Sequence, residues 1–84
     1  MNPIEMIGWF DGHGKLHPVR FYIETSIGEQ LSIPIDSVEN IKAENYVGNP
    51  MLAYHCYCTI HGVSKIYCVK YEILTCQWFI CNNR

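Results

Sequence analysis

The sequence predicts an all-β fold: a single small antiparallel β-barrel, or a strongly bent sheet, of about six strands in one domain, residues 1–84. Three observations support this prediction. Hydrophobic residues make up 49% of the chain and aromatic residues 13%, and the abundant Tyr, Ile and Val favour strands. Turn-forming residues interrupt the apolar runs at short intervals, and within the runs apolar and polar residues alternate. A chain this short holds one core, and closing its sheet into a barrel removes exposed strand edges.

The first two strands are predicted at residues 4–10 and 17–24. The segment between them, DGHGK at residues 11–15, contains two glycines and is interpreted as a hairpin loop. Its backbone N–H groups would suit an anion, but a phosphate-binding loop leads into a helix. Here Pro18 and a β-branched, aromatic run follow instead, which favours the hairpin.

The next two elements are predicted at residues 30–35 and 38–47. Pro34 indicates an edge position or a bend between them, because proline cannot donate a hydrogen bond within a sheet. The segment 36–47 has two interpretations. Asp36 or Ser37 can cap a helix, and the apolar residues that follow have helical spacing, so the segment forms either a strand or a single helical turn.

The last three strands are predicted at residues 51–60, 63–71 and 75–81. His61-Gly62 is typical of a two-residue hairpin turn, since glycine readily adopts a positive φ. An even-length loop at residues 72–75 would place Cys76 on the core face beside Trp78. The residues predicted to face the core are Ile33, Tyr54, Cys56, Cys58, Tyr67, Val69, Trp78 and Ile80.

The stretch YHCYCTIHG, residues 54–62, holds the densest group of potential metal ligands. The alternation of a strand divides it, with Cys56 and Cys58 pointing inward and His55 outward. Zinc sites commonly use C-x₂₋₄-C pairs, and Cys56-x-Cys58 is one residue too close. The sequence therefore predicts no metal and no other cofactor. The one alternative is a zinc site built from His55, Cys68 and Cys81 on the outer face.

Charge and motifs exclude several classes of function. The formal net charge is −2 and the six Lys and Arg residues are scattered, whereas nucleic-acid binding requires clustered cations. The acidic residues form no evident dyad, and the sequence contains neither a G-x-S-x-G nor a C-x-x-C motif. We therefore expect a protein that is not an enzyme.

The N-terminal segment MNPIEMIGWFDG carries an early acid and no basic region before an apolar run, so it does not predict a signal peptide. The apolar runs are shorter than the ~18 residues that a membrane span requires. A cytoplasmic location is expected, and in that reducing compartment the five cysteines are expected to be free thiols.

The chain has more aromatic residues than one small core can hold, and neighbours such as Trp9 and Phe10 must point to opposite faces. Apolar side chains are therefore expected on the outer side of the sheet, where they favour binding. The predicted interaction surface consists of His55, Tyr57, Ile66 and Phe79. The partner is predicted to be another protein or a second copy of the chain, with single-stranded nucleic acid as the alternative. If the segment 36–47 covers this side, these residues form a second small core instead.

Several landmarks follow one another in a recognisable order. They are a Gly-x-hydrophobic-x-Pro segment before a Phe-containing strand (GKLHPVRF), an Ile-Asp-x-Val step (IDSV), a Gly before an aromatic strand (GNPMLAYHCYC) and a final Trp-Phe pair. In this order the chain resembles a group of short bacterial all-β proteins that have no assigned activity. The resemblance implies a small β fold, does not include the cysteines and transfers no site residues.

Overall fold

The computed structural model describes residues 2–81, which form six β-strands joined by short turns. The strands are β1 (Asn2–Phe10), β2 (Leu16–Glu24), β3 (Gln30–Tyr46), β4 (Asn49–Ile60), β5 (Val63–Glu72) and β6 (Gln77–Ile80). Each strand pairs antiparallel with the next, and β6 pairs with β1 to close a barrel. The prediction of an all-β antiparallel barrel is confirmed. Within residues 2–81 there is no helix long and apolar enough to span a bilayer.

Strand β3 is a single strand of 17 residues, where the sequence predicted two elements. Its first part pairs with β2 as far as Pro34, and from Ile35 onward it pairs with β4. Two irregularities in register, between Ile35 and Ser37 and between Val38 and Asn40, follow directly. Because bulges bend a strand and increase its twist, β3 turns here from one side of the barrel to the other. These irregularities follow Pro34, where the sequence predicted an edge position or a bend, and the helical-turn interpretation of residues 36–47 is wrong because β3 continues to Tyr46.

Strands β4 and β5 form a long hairpin in the predicted register, in which Tyr54 lies opposite Val69 and Cys56 opposite Tyr67. The turn residues His61 and Gly62 have φ angles of 51° and 78°. Positive φ at both positions is what a type I′ turn requires, and its twist matches that of the flanking strands. The two-residue turn is therefore confirmed.

The core lies inside the barrel and contains most of the residues predicted for it. Tyr67 and Ile80 are only half-buried and pack against its edge. In this core the Trp78 ring lies 5.3 Å from that of Tyr54 and 5.0 Å from that of Tyr71. The cluster of buried residues consists of Leu16, Phe21, Ile33, Tyr54, Cys56, Cys58, Val69, Tyr71 and Trp78.

The prediction that Cys76 faces the core is wrong. Strand β5 continues to Glu72, which pairs with Gln77, so Cys76 belongs to the turn between β5 and β6. Its N–H donates to the Glu72 carbonyl at 2.9 Å, its φ is 60°, and its side chain is exposed. Strand alternation therefore does not extend back to this residue, although it holds for Trp78.

Candidate functional site

The outer face of β4 and β5 carries an exposed apolar pair. Tyr57 and Ile66 lie directly opposite each other in the hairpin, with 39% and 51% of their surfaces exposed. Side chains opposite each other on adjacent strands are close enough to touch, so the two present one continuous apolar area. We call Tyr57 and Ile66 the outer pair.

The other two residues of the predicted surface lie on the same face but are half-buried. His55 is opposite Cys68, one step along the outer face from the outer pair. Phe79 is on β6, opposite Lys70 on one side and Pro3 on the other. The structure therefore brings His55 beside the outer pair, whereas Phe79 lies further along the face next to Lys70.

A polar network crosses the outer face beyond these residues. The Lys70 ammonium is 2.9 Å from Glu44 Oε1, donates to the Tyr46 hydroxyl at 2.6 Å and lies 4.9 Å from the centre of the Tyr46 ring. The Tyr46 hydroxyl, followed by Glu44, raises the pKa of Lys70 above its ordinary value. The hydrogen bond from Tyr46 and the contact with Lys70 lower the pKa of Glu44. Both groups are therefore charged at neutral pH, and they join β3 to β5 across β4.

Beside this network lie two buried apolar residues that the sequence analysis did not identify. Met51 and Ala53 are 2% and 1% exposed, yet by alternation with Tyr54 they belong to the outer face and stand apart from the core cluster. Ala53 is flanked in register by Lys42 and Lys70, whose aliphatic stems can cover a small neighbour. Met51 and Ala53 are thus buried apolar residues on the outer face, whereas none of the four predicted surface residues is buried. The sequence signal that would have identified Met51 and Ala53 is a small or flexible apolar residue flanked by long charged residues on the neighbouring strands.

The cysteines do not assemble a metal site with the neighbouring histidine. The Cys81 N–H donates to the Cys68 carbonyl at 3.0 Å, and His55 faces Cys68 from β4. No group of three or more His, Cys, Asp or Glu side chains in the described part of the chain is arranged to hold a metal ion. Burial, assisted by the neighbouring Cys81 thiol, raises the pKa of Cys68 to about 12. Cys68 is therefore a protonated thiol at neutral pH.

The loop between β1 and β2 uses its own carboxylate as the acceptor for its backbone donors. Asp11 Oδ1 accepts the N–H groups of His13 at 2.8 Å and Lys15 at 3.0 Å, and Oδ2 is 2.9 Å from His17 Nε2. The bond to His17, followed by the two backbone bonds, lowers the pKa of Asp11 to about 2. These N–H groups are already bonded, so they are not available to bind an external anion.

Closure of the barrel leaves parts of strand edges open, among them a long part of β3, contrary to the expectation that closure removes edges. Strand β2 has nine residues and pairs with β3 only as far as Pro34. Among residues 2–81, no strand pairs with that edge of β3 beyond this point. The Tyr54 hydroxyl bridges the opening by donating to the Leu16 carbonyl at 3.1 Å. The sequence analysis did not identify this edge because it predicted two short elements in place of β3. Only as one strand is β3 clearly longer than β2, its partner.

An apolar cavity of about 400 Å³ lies under the same edge, between the end of the β3–β4–β5 sheet and the loop that joins β1 to β2. It is lined by Phe10, Gly14, Lys15, Leu16, Ile41, Leu52, Tyr54, Tyr71 and Ile73.

Comparison of the chain with protein-family models, with curated proteins and with solved structures finds no match. The geometry and chemistry of the chain's own residues are therefore what supports a function.

Proposed function

We propose that the protein is a non-catalytic protein-interaction module whose partner contacts the outer face around Tyr57 and Ile66. The observation that carries the proposal is the outer pair itself. A tyrosine and an isoleucine are exposed side by side on a regular two-stranded platform that has a well-packed core behind it. Aromatic and aliphatic side chains held rigidly at a surface lose little entropy on binding and bury apolar area when a partner covers them.

Charge favours a protein partner over single-stranded nucleic acid. Binding to phosphates requires several convergent cations, and the strength of such binding falls steeply with salt. On the outer face, Lys70 is already bonded to Glu44 and Tyr46, and the chain as a whole carries a formal net charge of −2. The outer pair offers an aromatic ring but no clustered cation, so its contacts would be apolar and nearly indifferent to salt. The five unpaired thiols support a reducing, cytoplasmic location for the module.

The proposal is tested by capture with matched variants. The full chain and its Ile66→Ser and Ile7→Ser variants would be immobilised, exposed to an extract of the source cells at low and high salt, and compared by quantitative mass spectrometry. Ile7 is the matched control because it is also a strand isoleucine with 51% exposure, but it lies on β1. We expect a protein that the parent chain and Ile7→Ser retain at both salt concentrations, and that Ile66→Ser retains at least about tenfold less, a loss of about 1.4 kcal/mol.

Two results would contradict the proposal. One is a set of captured proteins that Ile66→Ser leaves unchanged. The other is tight binding of a single-stranded oligonucleotide that weakens steeply with salt, which would favour the nucleic-acid alternative.

A further inference from the structure

We propose that the open edge of β3 is a dimerisation edge: a second copy of the chain adds its own β3 in antiparallel orientation, with Ala43 at the two-fold axis. This inference goes beyond the proposed function because it uses a different surface, the strand edge instead of the outer face. The relevant part of β3 is the run from Asn40 to Tyr46, which we call the free edge.

The free edge is regular, long and accessible. The second of the two register irregularities of β3 ends at Asn40, so the pairing with β4 is continuous from there to Tyr46. All residues from 36 to 48 are exposed except Glu44, which is half-buried. An unpaired strand of this length presents a row of backbone donors and acceptors, for which another extended strand is the natural partner.

The turn that follows β3 determines which backbone groups face outward. Val47 and Gly48 have φ angles of 54° and 82°, which fits a two-residue type I′ turn between Tyr46 and Asn49. The residues flanking such a turn form a hydrogen-bonded pair, and hydrogen-bonded and non-hydrogen-bonded pairs alternate along the hairpin. Tyr46, and every second residue before it, therefore directs its N–H and C=O toward β4. Ala43, an odd number of residues away, directs them to the free edge.

The charges on the free edge select one register. With Ala43 opposite its own copy, Lys42 lies opposite Glu44 of the second copy, and the two-fold axis repeats this ion pair. These are non-hydrogen-bonded pairs, in which opposing side chains are closest. Moving the axis by one residue would place Lys42 opposite Lys42 or Glu44 opposite Glu44, and like charges directly opposite each other are destabilising. The free edge is thus complementary to itself in one arrangement and repulsive in the two nearest alternatives.

The intramolecular contacts of Glu44 are compatible with this pairing. The contacts from Lys70 and from the Tyr46 hydroxyl both fall on Oε1. These contacts hold the Glu44 carboxylate in place on the outer face, where Lys42 of the second copy would approach it. Ala43 has the smallest side chain on the free edge, so two copies can come together closely at the axis. Glu39 lies at the bulge before Asn40 and is outside the paired run.

The resulting dimer would have a continuous sheet of β5, β4 and β3 from each copy. Because a strand-edge contact is smaller than the ~1,200–2,000 Å² interfaces typical of stable complexes, we expect a dissociation constant in the micromolar range. Association must therefore be measured across concentration. Analytical ultracentrifugation of the full chain from low to high micromolar concentration is suitable, with circular dichroism of each variant to verify its fold.

Two variants test the register and the edge separately. Lys42→Glu replaces both ion pairs by opposed carboxylates and should raise the dissociation constant at least tenfold. Lys65→Glu makes the same change of charge at an exposed lysine on β5 and should leave the constant unchanged. Ala43→Pro removes an outward N–H without removing a bond to β4, so the barrel should remain folded while dimerisation is lost.

The outcomes separate this inference from the proposed function. Dimers that persist in Ile66→Ser but not in Ala43→Pro support the strand-edge interface. A chain that stays monomeric at every concentration overturns it, and so does a dimer that is lost in Ile66→Ser but kept in Ala43→Pro and Lys42→Glu. The latter result would instead assign self-association to the outer face. Capture of a different protein that Ala43→Pro abolishes, with the chain itself monomeric, would also overturn the second copy as the occupant.

Discussion

The thiols of this barrel differ in their surroundings, and their reactivity should differ accordingly. Burial raises the pKa of Cys56 to about 12 and that of Cys58 to about 11. Cys68, near the surface, also has a pKa of about 12, whereas Cys76 is exposed in a turn. Only the thiolate reacts with alkylating reagents, and each unit by which the pKa rises lowers its fraction at neutral pH about tenfold.

We therefore predict that iodoacetamide at neutral pH modifies Cys76 first and leaves Cys56 and Cys58 unmodified until the barrel unfolds. A time course followed by mass spectrometry, with and without denaturant, measures the order. Cys76→Ser should remove the fast phase and leave the rest unchanged. Rapid modification of Cys68 in the folded chain would contradict the raised pKa of that thiol.

At the scale of the elements, the turn between β3 and β4 contains a residue poorly suited to its conformation. Val47 has a φ of 54°, and its side chain is fully exposed. The left-handed region is unfavourable for a β-branched residue, whereas asparagine adopts it readily. We predict that Val47→Asn stabilises the protein by about 1 kcal/mol, as measured by urea denaturation.

Val63→Asn is the control for that substitution. Val63 is also exposed, but it lies in β5, where asparagine is unfavourable. This variant should be neutral or less stable than the parent chain. If both substitutions changed the free energy of unfolding equally, the effect at Val47 would not come from the turn.

The sequence was sufficient for elements that pair with their neighbours in the chain. Turn residues and alternation gave the register of β4 and β5 and the outward direction of Tyr57 and Ile66, because a two-residue turn fixes both. It was not sufficient for β3. There Pro34 and the helical spacing of the apolar residues after it, which are local signals, predicted two elements in place of one strand. The continuity of β3 depends on its passing from β2 to β4, which is a tertiary event. The free edge was therefore missed, as was the Lys70–Glu44 network, whose members are brought together across three strands.

At the scale of the whole molecule, Trp78 joins the strands that close the barrel. Its ring packs against Tyr54 and Tyr71, and its backbone pairs with β1 as well as β5. We predict that Trp78→Ala costs about 3–5 kcal/mol, the range for deleting a large buried side chain. Equilibrium denaturation in guanidinium measures the loss.

Trp9 provides the matched control, since it is 53% exposed and stacks on His17 at a ring distance of 4.4 Å. Trp9→Ala removes the same side chain but mostly surface contacts, so its cost should be about 1 kcal/mol. Equal losses for Trp9→Ala and Trp78→Ala would show that the core assignment of Trp78 is incorrect.

Closure of the barrel has a consequence for the order in which the chain folds. The pairs between β1 and β6 run from Asn2 with Ile80 to Ile4 with Trp78, and they join residues almost a full chain length apart. Pairs of such high contact order bear the largest loop-closure entropy, so they form after the local hairpins. Among the described residues only three pairs join β1 to β6, which leaves this junction with few hydrogen bonds. Sub-global opening should therefore begin here, and it converts the barrel into an open sheet while every other strand pair stays intact.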